Sequence, residues 1–359
     1  MMKVLFTFYV PSGGVETLNR LRCEALREVA IKGHLLYTST GSGLQNISDI
    51  PTFISPTDPE LFKILQMFQY DAIIATSDYL MPQRIRKLKY TGPILFEAQG
   101  FGTMTAAKNT LNEGASILQA NCQGVLMPPT PHLLQLIDEF CPSLSKFTFP
   151  NPLDTVKFCY QSGEVPSKPV IAWIGRLEIN KNWGLFLEIA KSLFELKHNL
   201  EFWVFLDDML SPEETLQLFW QKVHSYGLHD HIKVHANAPH AAMPGYLSQV
   251  GDSGGFLLST SVLEGFGYAV AEAIACRCPV LSTDSEGVRF FIQHNETGKF
   301  FDRDNEDDAV QQALELMENL QLREHIRNQG AEYVLNFMSP QQYAADFRNM
   351  LLNLKAKQG

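Results

Sequence analysis

The chain has 359 residues, of which 45% are hydrophobic and 19% charged, and this composition excludes a largely disordered protein. Its formal charge of −10 is uneven: residues 1–150 hold twelve Lys and Arg and twelve Asp and Glu, so the acidic excess lies in the remainder. That balance argues against nucleic-acid binding as the main role. Scattered cysteines, no apolar run of membrane-spanning length and no signal peptide lead us to expect a cytoplasmic protein.

Short apolar runs alternate with helical patterns through the first 150 residues. The pattern predicts strands at 4–10, 34–38, 72–76, 93–96, 125–127 and 147–149, and helices at 14–32, 59–68 and 81–88. This alternation favours a mostly parallel sheet covered by helices. The segment Pro150-Asn-Pro152 breaks the pattern and predicts a hinge, so that residues 1–150 form the first domain.

The same alternation begins again after the hinge. Predicted strands lie at 170–174, 201–206, 231–235, 255–258, 280–283 and 298–301, and predicted helices at 184–196, 212–226, 243–250, 268–275, 307–320, 322–337 and 341–354. We therefore expect a second domain at 151–338 and a closing helical segment at 339–359. Two Rossmann-like α/β domains facing across a cleft bind ligands at the carboxyl ends of their parallel strands.

The most informative segment runs from Ser261 to Val280. Glu264 lies in a glycine-rich turn, and Glu272 follows eight positions later in a predicted helix. Gly265 and Gly267 carry no Cβ, so the backbone there can approach a ligand closely. A helix N-terminus beside two carboxylates suits a phosphate flanked by hydroxylated groups, which describes a sugar nucleotide.

A second group of polar residues follows the strand at 170–174. Arg176 offers a planar fork of donors and Lys181 a mobile point charge, both in one loop. Two cations within an acidic domain suggest a diphosphate held between them. The alternative is an ordinary surface salt bridge, such as Lys181 with Glu178.

Gly13-Gly14 follows the first predicted strand and begins the first helix. Without side chains there, the backbone can press against an anion at the helix N-terminus. The pattern is also that of an ordinary strand-to-helix turn. No G-x-G-x-x-G sequence is present, which disfavours a dehydrogenase.

Two charged clusters are less telling. The basic run at 84–89 is typical of a solvated helix face. The alternative is contact with anionic lipid at a membrane surface, or with an anionic acceptor, through Arg84, Arg86, Lys87 and Lys89. Asp302-Arg-Asp304 resembles a metal-binding D-x-D sequence, but its position before a predicted helix favours N-capping. With no histidine pair at metal-ligand spacing either, we expect neither a metal nor another cofactor.

Four sequence features together resemble one large family. They are Gly-Gly near the N-terminus, Asn-Pro-Leu-Asp-Thr-Val-Lys-Phe at 151–158, Gly-Arg-Leu-x-x-x-Lys at 175–181 and Glu-Gly-Phe-Gly-x₄-Glu at 264–272. The arrangement resembles the retaining glycosyltransferases of the GT-B fold, often called family 4 or glycosyl transferases group 1. The resemblance implies that the closing helix crosses back onto the first domain. It also implies a nucleotide-sugar donor, linked to UDP or GDP, and a glycan, lipid-linked or small-molecule acceptor.

The resemblance also assigns roles to residues. Arg176 and Lys181 would hold the diphosphate and, with Glu264, carry catalysis. The donor would lie against Gly175 and the turn formed by Gly265, Phe266, Gly267 and Tyr268. Glu264 would bind the sugar hydroxyls and Glu272 the ribose hydroxyls. From the first domain, Gly13 and Gly14 would close over the donor phosphate, and Gln99 stands where relatives often carry histidine. Two further departures are Arg277, where glycine is common, and Ser285-Glu286-Gly287, where a Gly-Gly pair is common.

The resemblance implies a mechanism in which the acceptor attacks from the face that the diphosphate leaves, without a protein nucleophile. A glycosidase also uses two carboxylates, but it has no need of the Arg176 and Lys181 pair. Two alternatives stay open: a non-catalytic nucleotide-sugar-binding relative, which Gln99 would mark, and a nucleotide-sugar epimerase on the same scaffold.

Overall fold

The structure of the chain, a computed structural model, describes residues 1–55 and 57–356. It divides into two compact units. Unit 1 consists of Met1–Asp154 and Met338–Gly359, and unit 2 of Thr155–Phe337.

The described residues of unit 1 form seven strands. They are β1 Met2–Phe8, β2 Ile31–Tyr37, β3 Thr52–Ile54, β4 Ala72–Thr76, β5 Ile94–Glu97, β6 Gly124–Met127 and β7 Ser145–Thr148. They form one parallel sheet in the order β3-β2-β1-β4-β5-β6-β7. Strands covered on both faces read as unbroken apolar runs, and Val4, Leu5 and Phe6 are accordingly inaccessible to solvent.

Six α-helices lie in the part of unit 1 that the structure describes. They are α1 Gly13–Arg27, α2 Asp58–Phe68, α3 Met81–Lys87, α4 Met104–Asn121, α5 Pro131–Phe140 and α12 Pro340–Ala356. The last helix packs on the first unit: the Phe347 ring lies 5.7 Å from Phe6, and the Tyr343 ring 5.2 Å from Phe149. These aromatic contacts bury one face of α12 against the sheet and its neighbour α1.

Unit 2 contains six strands. They are β8 Val170–Ile174, β9 Glu201–Leu206, β10 Ile232–Ala236, β11 Phe256–Ser259, β12 Val280–Thr283 and β13 Lys299–Phe301. They also form a parallel sheet, in the order β10-β9-β8-β11-β12-β13. The chain reverses its direction of progress across the sheet between β8 and β11, and ligands of such sheets bind at this switch point.

Six helices cover this second sheet. They are α6 Trp183–Leu196, α7 Glu213–Ser225, α8 Met243–Asp252, α9 Tyr268–Ala275, α10 Glu306–Glu318 and α11 Leu320–Phe337. The core between helices and sheet is aromatic, with Trp173, Phe186, Phe202 and Phe219 almost wholly buried. The expected α/β class with two parallel sheets is confirmed.

Several predicted boundaries in unit 1 were wrong. The helix expected to reach residue 32 ends at Arg27, because Ala30 adopts a left-handed conformation (φ 58°) and β2 begins at Ile31. Helices α4 and α5 and strand β3 were missed altogether. The Thr103 hydroxyl caps α4 by accepting a hydrogen bond from the Ala106 amide at 3.2 Å, and a threonine at this position is a local signal for a helix start.

Across the described residues, no helix combines the length and the apolar composition that a membrane crossing requires.

Candidate functional site

An ion pair joins the two loops at the switch point of unit 2. Lys181 ends a short 3₁₀ turn after β8, and Glu264 lies in the loop between β11 and α9. The Lys181 Nζ donates to Glu264 Oε1 at 2.5 Å, although the residues are 83 positions apart in the chain. Their side chains are 23% and 15% exposed, so the pair is sheltered yet reachable by a ligand.

Backbone and side-chain hydrogen bonds hold these two loops together. The Asn180 side-chain amide donates to the Leu263 carbonyl at 2.8 Å and accepts from the Leu263 amide at 3.1 Å. The Thr260 hydroxyl lies 2.9 Å from the Lys181 carbonyl and accepts from the Trp173 indole at 3.1 Å. The positions of Lys181 and Glu264 are therefore fixed by neighbours that carry no charge.

Arg176 lies on the same loop and is more open. Its side chain is 46% exposed and donates to Glu178 at 3.1 Å. The surface salt bridge weighed for Lys181 with Glu178 thus involves Arg176 instead, while Lys181 pairs with Glu264. An exposed pair of this kind is worth little, so the guanidinium can exchange Glu178 for an incoming anion at small cost. Gly175 allows the loop to pack closely, since a Cβ there would lie 2.9 Å from the Trp173 ring.

The glycine-rich turn before α9 depends on its glycines. Gly267 is the N-cap residue of α9 with φ 90°, and a Cβ there would come within 2.8 Å of Val288. Because glycine has no side chain, it cannot accept hydrogen bonds from the first N–H groups of the helix. Those groups and the partial positive charge of the helix end are suited to an anionic ligand.

The turn is backed by the segment after β12. The Glu264 amide donates to the Ser285 carbonyl at 2.9 Å, and the Gly287 amide donates to the Glu264 carbonyl at 3.2 Å. Glu286 has φ 60° and ψ −63°, a γ-turn closed by a 2.8 Å bond from the Gly287 amide to the Ser285 carbonyl. The Ser-Glu-Gly departure from the usual Gly-Gly pair therefore places a carboxylate residue in a strained turn beside Glu264.

Glu272 lies one turn inside α9 and is 6% exposed. Its Oε1 is 2.8 Å from the Nε2 of His240, which lies in a 3₁₀ turn after β10. The Phe158 ring covers His240 at a centroid distance of 4.7 Å. No sequence pattern links His240 to Glu272, because the two residues are 32 positions apart in the chain.

The aromatic residues of the turn are packing residues. Phe266 is 4% and Tyr268 is 8% exposed, and their rings lie 4.8 Å apart. Phe266 also meets Phe291 edge-on at 5.7 Å. Any part that Phe266 and Tyr268 play towards a donor would therefore fall to their backbone amides.

The remaining predicted donor residues belong to unit 1. Gly13, with φ 65°, and Gly14 begin α1 directly after β1, and nothing lies within 4 Å of the place a Gly13 Cβ would occupy. Gln99 follows β5, where its amide donates to Glu97 at 3.2 Å and exchanges hydrogen bonds of 3.2 and 2.7 Å with Asn151. The Gln99 side chain is thus held by partners inside its own unit.

The charged clusters outside the site have structural partners. Arg86, expected on a solvated helix face, instead donates to the backbone carbonyls of Tyr90, Gly92 and Asn121. Arg84 pairs with Asp58, which leaves Lys87 and Lys89 as the exposed cations of the run.

The acidic loop after β13 serves α10. Asn305, rather than either aspartate of the D-x-D sequence, caps the helix by accepting from the Asp308 amide at 3.2 Å. Within the described residues, no group of three or more His, Cys, Asp or Glu has a geometry suited to a metal ion. Burial raises the pKa of the Cys278 thiol to about 12, so it is not a thiolate nucleophile at neutral pH.

Unit 2 matches the model of a known protein family. Residues 159–333, nearly the whole of unit 2, match the model for glycosyl transferases group 1. The match covers just under half of the chain, and over these residues the chain is similar to that family.

Two curated relatives share shorter stretches of sequence. An uncharacterised glycosyltransferase of Methanocaldococcus jannaschii is 32% identical over 82 residues, which is 23% of each chain. A 2-deoxystreptamine N-acetyl-D-glucosaminyltransferase of Niallia circulans is 22% identical over 193 residues, or 54% of this chain. The matched stretches span 23% and 47% of these relatives, less than half of either.

Solved structures match almost the entire fold. The Anabaena protein HepE, solved with UDP and glucose, has a TM-score of 0.83 at 13% identity over 98% of this chain and 100% of its own. A sucrose-phosphate synthase from Thermosynechococcus elongatus has a TM-score of 0.81 at 16% identity over 99% and 100%. The GT-B fold class is thereby confirmed.

Proposed function

We propose that the protein is a retaining glycosyltransferase, which moves a sugar from a nucleotide-sugar donor to an acceptor hydroxyl. The observation that carries this proposal is the Lys181–Glu264 pair at the switch point of unit 2. It sets a cation and a carboxylate side by side, next to the N-terminus of α9. Phosphate and sugar hydroxyls, the two halves of such a donor, need those two kinds of group.

In this proposal the cations act on the leaving group. Lys181 exchanges Glu264 for the donor diphosphate, Arg176 exchanges Glu178, and the N–H groups of Gly265 to Tyr268 add backbone donors. Placing positive charge where negative charge develops lowers the barrier to departure. Glu264, released from Lys181, accepts hydrogen bonds from the hydroxyls of the transferred sugar, and Glu272 accepts them from the ribose. Gly13, Gly14 and Gln99 remain proposed donor contacts from unit 1.

The bond changes balance without a protein nucleophile. The bond from the anomeric carbon to the diphosphate oxygen breaks, and a bond from that carbon to the acceptor oxygen forms on the same face. The acceptor proton passes to the departing phosphate oxygen, and the anomeric configuration is retained. Since Arg176 and Lys181 supply the positive charge, we expect transfer to persist in EDTA.

We propose that the donor sugar is linked to a uridine nucleotide, with a guanosine nucleotide as the second choice. HepE has been solved with UDP and with UDP-glucose, and its fold matches this chain over 98% of the residues. A thermal-shift panel of UDP, GDP, ADP and UDP-glucose tests the proposal, because a ligand that binds only the folded state raises the melting temperature.

The decisive variant is Glu264→Ala. We expect it to bind UDP about as well as the wild-type protein does, while donor turnover falls at least a hundredfold, since removing one stabilising donor or acceptor from a reacting centre costs on the order of 10²–10³ in rate. Glu188→Ala is the matched control, because Glu188 forms a surface pair with Lys222 in the same unit. No response to any nucleotide would overturn the proposal. Turnover that survives in Glu264→Ala would remove that residue from it, and donor isomerisation without an acceptor would favour an epimerase.

A further inference from the structure

His240 and Glu272 form a second polar contact in unit 2, distinct from the Lys181–Glu264 pair. We infer that His240 is a positioning residue, which orients the Glu272 carboxylate so that its second oxygen can bind the ribose of a nucleoside diphosphate. This inference rests on the proposed function and adds to it a residue that decides between ribose and deoxyribose.

The contact has a defined direction. Glu272 Oε1 lies 2.8 Å from His240 Nε2, and a carboxylate oxygen is only an acceptor, so Nε2 carries the proton and donates. This bond occupies one carboxylate oxygen and fixes the rotation of the group about its terminal bond. The other oxygen, Oε2, then keeps its lone pairs for a ligand hydroxyl.

Burial makes the bond consequential. The side chains of His240 and Glu272 are 16% and 7% exposed, so little water is present to replace a lost partner. Glu272 is carried by α9, whereas His240 comes from the turn after β10 at the far end of the sheet order. The bond therefore ties the turn after β10 to the helix that carries both the N-terminal amides and the carboxylate.

Phe158 keeps the imidazole in place. Its ring lies 4.7 Å from that of His240 at an interplanar angle of 45°, and its side chain is 2% exposed. Phe158 ends the Asn-Pro-Leu-Asp-Thr-Val-Lys-Phe segment that contributed to the family resemblance. Through this contact the segment packs an aromatic ring against the imidazole that donates to Glu272.

The test compares UDP with 2′-deoxy-UDP and 3′-deoxy-UDP by isothermal titration, using the full chain. We expect the wild-type protein to prefer UDP. His240→Phe should lose about tenfold in UDP affinity, which is about 1.4 kcal/mol, and most of that preference, since it removes a hydrogen bond to a charged group. His240→Gln, whose side-chain amide can place a donor near the same point, should recover much of both. His229→Phe, a change at a half-exposed histidine of the same unit, is the matched control.

The outcomes separate the inference from the proposed function. If the wild-type protein binds no nucleoside diphosphate, the proposed function fails. If Glu272→Ala abolishes the preference for UDP while His240→Phe leaves it intact, the function stands and the role of His240 is refuted. A His240→Gln variant that behaves like His240→Phe would refute the hydrogen-bond assignment. In the double variant His240→Phe/Glu272→Ala, we expect no loss beyond that of Glu272→Ala alone.

Discussion

Two ion pairs, one taken from each unit, both join a basic side chain to a glutamate but have different surroundings. In unit 1, Arg22 on α1 donates to Glu97 at the end of β5 at 2.6 Å, and both side chains are 0% exposed. In unit 2, Lys181 donates to Glu264 at 2.5 Å, with side chains that are 23% and 15% exposed. The first pair joins a helix to a strand and the second joins two loops, but of the two only the second can be reached from solvent.

The two pairs also differ in the hydrogen bonds that surround them. Glu97 also accepts from the Thr76 hydroxyl at 2.6 Å and from Gln99, while the Arg22 guanidinium bonds Asn19 and lies 3.9 Å above the Phe6 ring. The structure thus surrounds the first pair with protein partners. The loops of the second pair are fixed by Asn180 and Thr260, so its charges can change partner without loss of the loop structure. We infer that the first pair serves stability and the second serves ligand binding.

Arg22→Met, which breaks the first pair, should have the largest effect on the unfolding free energy. It leaves the Glu97 carboxylate buried without its cation, and breaking a buried pair from one side costs about 3–5 kcal/mol of unfolding free energy. Equilibrium denaturation of the variant measures this loss. Arg84→Met is the control, because Arg84 pairs with Asp58, whose side chain is 61% exposed, and should lose less than about 1 kcal/mol.

A double variant sharpens this test. Arg22→Met/Glu97→Leu removes both charges, and a buried pair replaced by apolar residues of similar size is often neutral, so we expect it to be more stable than Arg22→Met. A loss below about 1 kcal/mol in Arg22→Met would contradict the structural role of the pair.

His34 extends the comparison to a buried group of unit 1 that has no carboxylate partner described beside it. Its ring is 1% exposed, packs edge-on against Phe68 at 4.7 Å and bonds the Tyr70 hydroxyl at 2.9 Å. Burial, helped by Lys32 and Lys3, lowers the pKa of His34 to about 4. The folded state therefore resists protonation, and stability that is present above pH 6.5 is lost as the pH falls towards 4.

Because of His34, we expect the unfolding free energy of the wild-type protein to be about 2 kcal/mol lower at pH 5 than at pH 8. The figure follows from about 1.36 kcal/mol for each pKa unit by which the folded and unfolded states differ over this pH interval. His34→Phe keeps the ring packing and removes the titration, so its stability should fall less over the same interval. Urea unfolding at both pH values measures the difference, with pH 8 as the internal reference. Equal losses in the two proteins would show that the pKa of His34 in the folded state is close to its value in the unfolded state.

The sequence predicted unit 2 better than unit 1 for a physical reason. Helix α9 and strands β8, β9 and β12 were placed to the residue, because apolar strands bounded by Gly, Pro and charged turns give a clear local signal. Helix α4 was missed because its small and polar residues, Met104 to Asn121, form only a weak apolar stripe, and its burial is decided by contacts with other helices.

Only part of the candidate site could be predicted from the sequence. Residue type and spacing predicted Arg176, Lys181, Glu264 and Glu272 as candidate site residues, since charges beside glycine-rich turns are visible in the sequence. Their partners were not visible. Lys181 and Glu264 are 83 residues apart and His240 and Glu272 are 32 apart, and only the strand order brings such pairs together.

Lys181→Met tests the second ion pair directly. Because the pair is partly exposed, we expect the unfolding free energy to change by less than about 1 kcal/mol. Nucleoside diphosphate affinity should instead fall about 10- to 100-fold, the worth of a charge-assisted hydrogen bond. Lys222→Met, which breaks the surface pair with Glu188, should alter neither quantity. A stability loss like that expected for Arg22→Met, with binding unchanged, would erase the distinction between the two pairs.

The smallest expected difference between a variant and its control concerns the turn that carries Glu264. Gly267 and Gly227 both have positive φ, 90° and 69°, so alanine is strained at either position. A Cβ at Gly267 would also lie 2.8 Å from Val288, whereas nothing lies within 4 Å of the corresponding point at Gly227. Gly227→Ala should therefore cost about 1 kcal/mol, and Gly267→Ala about 1–2 kcal/mol more, since overpacking adds to the backbone strain. Thermal unfolding compares the two. If they are equally stable, the segment after β12 yields to the added methyl group, and the turn beside Glu264 is less rigid than its hydrogen bonds to Ser285 and Gly287 imply.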